Sequence, residues 1–396
     1  MKVYIVGIGM DGRKTLTKEA EKAVSEAGIL IGAERMLRPF ADLGKEMFTS
    51  YIPREIAEKA DSCGYDTAAV LMSGDCGFFS GARKLLPLLE KHDVEVIAGI
   101  SSASYFCSKL GLAYEKMKFV PLHGRASNIA VNVKMNEYCF FLLGGEVSPA
   151  DVCRRLCEYG MGDVTVDIGA DLGYESERII TGKASEFTDA QVSGLAVLIT
   201  ENSGFLRYLP SAIDDGRFIR GEIPMTKAEV RCIAVSKLDI AADSVVWDIG
   251  CGTGSVSVEA AFRCPDGKVL AFDKKPEAVG LTLENARSFG CDNIEAAEGR
   301  CPDILTDIPA PDKVFIGGTS GNMAGIFETV DRRNPQADIV VTAVSLETLQ
   351  SAVSAFERFG AVPEIVQAAV TRTKKIGAHT MLQAQNPVFI ISGRLQ

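Results

Sequence analysis

The 396-residue chain has three histidines, one tryptophan and no cysteines spaced as C-x-x-C. Metal centres built from histidine and paired thiolates are therefore not expected, and no metal is assigned from the sequence. The 11 cysteines are scattered, and an odd, dispersed set implies free thiols in a reducing, cytoplasmic setting. Cys153 and Cys157 lie four apart and share a helix face, which without nearby histidine reads as core packing. No apolar run is long enough to span a bilayer, so no membrane partner is expected. The opening apolar stretch is short, broken by glycine and followed by Asp11, which is not the pattern of a secretory leader. Internal repeats and low-complexity tracts are missing. So is a basic module: Lys plus Arg number 23 against 28 acidic residues in 1–210, and 19 against 24 thereafter, so each half carries −5 of the net −10. Sequence-independent nucleic-acid binding has no electrostatic support in such a chain.

What is present is 47% hydrophobic and 24% charged residues, the balance of a globular enzyme long enough for two domains. Short β-rich runs alternate with helical patterns, predicting α/β layers. Strands are expected at Val3–Val6, Thr67–Met72, Glu95–Ile97, Tyr138–Leu143 and Gly194–Ile199. In the second half they are expected at Ser244–Asp248, Lys268–Phe272, Lys313–Ile316, Asp338–Thr342 and Val388–Ile391. The stretch 202–224 breaks this rhythm with Gly, Pro and charge, and reads as an interdomain connection, dividing the chain into 1–209 and 210–396. After it Thr226, with Glu229 three residues on, predicts a helix start with a capping box.

The run "WDIGCGTGSVSVEAA" sends an apolar strand into Gly250, Gly252 and Gly254 and then into a small-residue helix. A dinucleotide fingerprint would read G-x-G-x-x-G, but here Ser255 stands in its last position. The G-x-G-x-G spacing after Asp248 resembles motif I of the Rossmann-like (class I) S-adenosylmethionine (SAM) methyltransferases. The resemblance implies that Asp248, Gly250, Cys251, Gly252, Thr253 and Gly254, together with Thr226, hold SAM. Asp273, at the end of "VLAFD", is placed either to accept the ribose hydroxyls or to cap the following helix, and its position favours the ribose. Gly299 ends the third strand, where this class lets adenine lie, and Arg300 stands where many relatives carry Asp. The fourth strand ends in Gly317, Gly318, Thr319 and Ser320, in place of the Asn/Asp-Pro-Pro-aromatic of enzymes that methylate amide or base nitrogens. These four are read as a backbone-lined floor for a large flat substrate.

The first half opens with "VYIVGIGMDGRKTLT", with Gly7 and Gly9 in the turn. It continues with "LMSGDCGFFSGARKL", "VIAGISSASYFCSKLG", "PLHGR" and "FFLLGG". In that order these resemble the loops of the tetrapyrrole (cobalamin-type, class III) methyltransferases, with Met10-Asp11-Gly12 replacing Pro-Gly-Asp and Cys76 replacing a proline. The resemblance implies that Gly7, Gly9, Gly74, Asp75, Phe78, Ser101 and Ser102 bind SAM, and that His123 and Arg125 face the tetrapyrrole.

A class III domain fused to a class I domain resembles the two-carbon precorrin methyltransferases of cobalamin biosynthesis. That family implies two SAM molecules per chain and methylation of C5 and C15 of a late precorrin, precorrin-6B or its cobalt equivalent. It also implies loss of the ring C acetate carboxyl, and a homo-oligomer. Arg35, Arg38, Arg125, Arg372, Lys374 and Lys375 are the candidate partners for the substrate carboxylates. Two rival readings give the second domain a tRNA or protein target, or make the first a non-catalytic ligand-binding scaffold.

Overall fold

In a parallel sheet both faces are covered, so its strands read as unbroken apolar runs. Lys2–Gly7 and Thr67–Met72 are such runs, and they sit side by side in register from Lys2 opposite Thr67 to Gly7 opposite Met72. A computed structural model of the protein describes residues 1–122, 127–145, 147–192 and 194–395. The chain forms two compact units. The first comprises residues 1–126, 138–152 and 165–201; the second comprises 127–137, 153–164 and 202–396. Among the described residues no helix is long and apolar enough to cross a membrane.

The first unit holds two five-stranded sheets. One is all parallel, ordered Glu46–Thr49, Ile29–Gly32, Thr67–Met72, Lys2–Gly7, Asp93–Ile97. Alternate residues serve its two faces: Val3, Ile5, Ile31 and Val70 pack into one apolar cluster, and Tyr4, Val6, Leu30 and Leu71 into the other. The second sheet is mixed, ordered Lys118–Pro121, Tyr138–Leu142, Ala196–Glu201, Thr165–Ala170, Arg178–Lys183. The strand expected from Gly194 begins two residues later. Asp171 is the reason: its carboxylate accepts the Leu195 amide at 3.1 Å and holds the chain in a loop there.

The second unit is a seven-stranded sheet ordered Ile294–Glu298, Lys268–Asp273, Val245–Ile249, Lys313–Ile316, Asp338–Ala343, Val388–Arg394, Glu364–Ala368. Its first five strands are parallel; Val388–Arg394 runs antiparallel to them, and Glu364–Ala368, antiparallel to Val388–Arg394, runs with the first five. Strand order reverses between Val245–Ile249 and Lys313–Ile316, the switch point at which open α/β sheets bind ligands. Trp247, Ile249, Phe272 and Val341 fill the core on one face, and Val246, Val269, Val258 and Phe262 on the other. A hairpin, Thr371–Ile376 with His379–Ala384, stands out from this sheet, with its second strand exposed throughout.

Three segments of this unit depart from the sequence reading. The stretch 202–224 is packed: Ile213 and Phe218 are buried in the apolar cluster around Phe289. The helix Ala130–Met135 also belongs here, and the Asp292 carboxylate accepts the amides of Ile129, Ala130 and Val131 at 2.8–3.0 Å. The capping box at Thr226 does not form. The helix Ala228–Lys237 follows Lys227 without a side-chain cap, because Asp215 accepts the Ala228 amide at 3.0 Å and Glu229 turns away to Arg372.

Candidate active sites

A cavity of about 630 Å³ opens at the switch point of the second unit, a size typical of small-molecule sites. Gly250 sits in the left-handed region at φ +76°, and a Cβ there would lie 2.7 Å from the Gly318 nitrogen. Only glycine allows the first and fourth strand ends to approach so closely. Gly254 then starts the helix Ser255–Arg263. Asp273 braces this loop: Oδ2 accepts the Gly252 amide at 3.1 Å and Oδ1 the Lys275 amide at 3.0 Å. It makes no cap bond to the helix Pro276–Phe289, whose N-cap is Lys275.

Gly250, Cys251, Gly252, Asp273, Gly299, Thr226 and Gly317 to Ser320 all line this cavity. Asp248, Thr253 and Gly254 do not; Asp248 is buried beneath the loop, where one carboxylate oxygen accepts from the Ser257 hydroxyl and the other has no partner. Thr253 is likewise buried, with its carbonyl held by Asn285. The sequence reading missed Lys227, Lys274, Lys275, Thr342, Val344, Gln385 and Asn386, which line the same cavity, as does Arg300. Gln385 and Asn386 follow the exposed hairpin, whose polar strands carry no apolar signal to mark them.

Burial pushes the Asp248 carboxyl up to about 7. The unfolded carboxyl titrates near ~4, so between those limits the folded state holds the extra proton. The contribution to stability is full below the unfolded value and is lost as pH rises through the folded one. Asp248→Asn removes this dependence. Its urea midpoint, followed by the fluorescence of the single tryptophan Trp247, should gain on wild type progressively between about pH 4.5 and 7.5. A gap that stays constant across that range would show that Asp248 is not charged at the expense of folding.

A second cavity, of about 340 Å³, lies within the first unit. It sits where the loops after Lys2–Gly7, Thr67–Met72 and Asp93–Ile97 cross. Cβ atoms built on Gly7 would lie 2.7 Å from the Gly99 nitrogen and 2.8 Å from the Gly74 carbonyl. Gly9 and Gly74 exchange backbone hydrogen bonds at 3.1 and 2.9 Å. Asp75 joins the crossing, Oδ2 accepting the Gly99 amide at 2.9 Å and Oδ1 the Gly77 amide at 2.8 Å. Cys76, in the position of the family's proline, is buried; its thiol, pushed up to about 12 by burial, points at the carbonyls of Ile5 and Ile97.

Gly74, Asp75, Phe78 and Ser102 line this cavity, together with Arg35, Met10 and Phe79. Gly7, Gly9 and Ser101 form its supports rather than its wall; Ser101 caps the helix Ser102–Leu110 by accepting the Ser104 amide at 3.0 Å. His123 and Arg125 fall outside the described residues. Arg38 opens the short 3-10 segment Arg38–Leu43 and does not line the cavity. Arg372 is engaged elsewhere, with its guanidinium on both carboxylate oxygens of Glu229 and on Asp215 at 3.0 Å. Lys374 and Lys375 ride on the exposed hairpin, away from the cavity lining. Cys153 is buried on its helix and Cys157 half-buried.

Residues 2–188 match the tetrapyrrole (corrin/porphyrin) methylases, and residues 218–394 match the family described as the precorrin methyltransferase domain. A probable cobalt-precorrin-6B C(15)-methyltransferase (decarboxylating) of Pyrobaculum calidifontis is 41% identical over 188 residues, 47% of this chain and 96% of that one. A precorrin-6Y C(5,15)-methyltransferase (decarboxylating) of a Sinorhizobium species is 28% identical over 395 residues, 97% of this chain and 94% of that one. A crystal structure of a precorrin-6y C5,15-methyltransferase from Geobacter metallireducens, 39% identical, covers 47% of this chain and 98% of its own with a TM-score of 0.44. By its sequence matches the chain belongs to the precorrin methyltransferases, as a SAM-dependent enzyme in which a tetrapyrrole methylase module precedes a precorrin methyltransferase module.

Proposed function

We propose that the chain methylates C5 and C15 of a late precorrin and removes the carboxyl of the ring C acetate, each methylation using its own SAM. Residues 1–209 carry the C5 step, and residues 210–396 the C15 step with decarboxylation. The observation that carries this reading is the presence of two separate cavities, one in each unit. Each is built where glycines bring parallel-strand ends together, as a cofactor approached by backbone requires.

Bound SAM supplies an electrophilic methyl group. In the second unit Gly250, Cys251, Gly252 and Asp273 hold it, and Gly299 leaves room for adenine. In the first unit Gly74, Asp75, Phe78 and Ser102 hold it, over the supports Gly7, Gly9 and Ser101. The residues fit this group: the backbone of Gly250 and Gly252 lines the cavity, and Asp273 presents its carboxylate at the cavity wall. That methyl group would pass to an electron-rich ring carbon of the tetrapyrrole, and the cofactor would leave as a neutral thioether. The protein aligns the two and excludes water, and neither task needs a strong base. In decarboxylation the electrons of the breaking carbon–carbon bond flow into the conjugated imine of the macrocycle, CO2 leaves, and the exocyclic methylene carbon left on ring C takes a proton to become a methyl group. Gly317 to Ser320 form the floor on which the ring lies. Lys227, Lys274, Lys275 and Arg300 supply positive charge to a ligand rich in carboxylates.

The chain acts in the cytoplasm as a homo-oligomer and engages neither nucleic acid nor membrane. Incubation with a late precorrin and isotopically labelled SAM, read by mass spectrometry, tests the reaction. The expected product has gained two labelled methyl groups and lost one CO2. A product with one methyl group, or with its carboxyl retained, would overturn the assignment.

A further inference from the structure

Phe79 is half exposed and adopts φ +47°, in the left-handed region that a bulky aromatic residue avoids. Strain of this kind persists where the surroundings impose it, and it gathers at ligand sites. Here the surroundings are the loop Gly74–Phe78. Asp75 accepts the Phe78 amide through its carbonyl at 3.2 Å and the Gly77 amide through its side chain at 2.8 Å, which forces a tight turn just before Phe79. The Phe79 ring meets the Phe78 ring edge-on, with centroids 4.9 Å apart and planes at 82°. Phe78 in turn packs edge-on against Phe119 and Phe140. Phe79 is therefore a braced aromatic plate, standing on the wall of the first-unit cavity rather than inside its core. Arg35 lines the same cavity.

We infer that Phe79 is a specificity-determining residue of the first-unit site: its ring stacks on the face of the conjugated macrocycle while Arg35 pairs with one of the macrocycle's carboxylates. This rests on the tetrapyrrole reading above. A flat, conjugated, carboxylate-bearing ligand is what an aromatic plate beside a guanidinium recognises. The packing of Phe78 against Phe119 and Phe140 leaves Phe79, the more exposed ring of that pair, to meet a substrate. Turning the backbone into the left-handed region is what brings it to the cavity wall.

The test uses the full-length enzyme, a late precorrin and labelled SAM, with C5 methylation and C15 methylation read separately by mass spectrometry. Phe79→Leu removes the plate, and Phe79→Asn removes it with a residue that accepts left-handed backbone. Both are expected to raise KM for C5 methylation about tenfold, with KM for the C15 step and the affinity for SAM unchanged. Phe79→Asn is further expected to keep or raise the melting temperature, since the strain is relieved. Arg35→Gln should raise the same KM, and Arg35→Lys should restore part of it. Unchanged C5 kinetics in both Phe79 variants, or a lowered melting temperature with unchanged KM, would assign the ring to packing and overturn the inference. Failure of the wild-type enzyme to methylate the precorrin at all would instead overturn the tetrapyrrole reading.

Discussion

Replacing Arg231 with methionine should destabilise the second unit by about 3–5 kcal/mol, the cost of leaving a buried charge without its partner. The guanidinium is fully buried. Its Nε donates to Glu259 at 2.6 Å, Nη1 to the Thr226 carbonyl at 2.6 Å and to Asp215 at 3.3 Å, and Nη2 to the Ile213 carbonyl at 2.5 Å. Its Cζ lies 4.8 Å from the centroid of the Phe218 ring. All three nitrogens of the fork donate, and together the contacts tie the segment Ile213–Thr226 through Arg231 to the helix Ser255–Arg263 that follows the glycine loop. Without Arg231, Glu259 keeps only the Ile213 amide as a donor, at 2.8 Å, and stays 1% exposed. Since Trp247 is the single tryptophan and lies in the core of this unit, its fluorescence during urea unfolding reports this unit alone. The double variant Arg231→Met, Glu259→Leu should recover much of the loss, because an apolar pair of similar volume removes the stranded carboxylate. A loss below about 1 kcal/mol in the single variant, or no recovery in the double, would show that the cluster is solvated in solution.

The same cluster shows why parts of the chain resist reading from sequence. Strands with unbroken apolar runs, such as Thr67–Met72 and Lys313–Ile316, fall where their pattern places them, because burial on both faces leaves a signature in every residue. Arg178–Lys183, Glu364–Ala368 and the hairpin strands are mostly exposed and polar, and they carry no such signature. Their pairing is carried by backbone hydrogen bonds, which the side-chain pattern does not reveal. Thr226 with Glu229 looks like a capping box locally, yet Asp215 and Arg372, distant along the chain, take both roles. The stretch 202–224 looks like a tether because it lacks periodicity, but its two apolar anchors, Ile213 and Phe218, suffice to bury it. Arg372 reads as a free cation for substrate until Glu229 is seen beside it. The glycine motifs were legible because backbone proximity demands glycine whatever the fold around it. The second side of each cavity was not, since Phe79, Gln385 and Asn386 gain their place only from tertiary structure.

Single methyl groups placed on the glycine loops should switch off one site at a time. Gly250→Ala puts a Cβ on a backbone at φ +76° and 2.7 Å from the Gly318 nitrogen, a contact that no side-chain rotation relieves. The left-handed conformation alone costs about 1–2 kcal/mol for a non-glycine residue, and the loop must also move away from the fourth strand. A displacement of about 1 Å at a reacting centre costs on the order of a hundredfold in rate. C15 methylation and CO2 release are therefore expected to fall together by about that factor, with C5 methylation retained. Gly7→Ala is the reciprocal variant: its Cβ would meet the Gly99 nitrogen at 2.7 Å and the Gly74 carbonyl at 2.8 Å, prising apart the loops that Asp75 ties together. There C5 methylation should fall while C15 methylation and decarboxylation persist, and the persisting step shows that the protein is folded. Calorimetric titration with S-adenosylhomocysteine should give two molecules per wild-type chain and one in either variant. If each variant lost both methylations, the two cavities would be serving one reaction centre. If wild type bound a single molecule, one of the two glycine crossings would be a structural joint rather than a donor site.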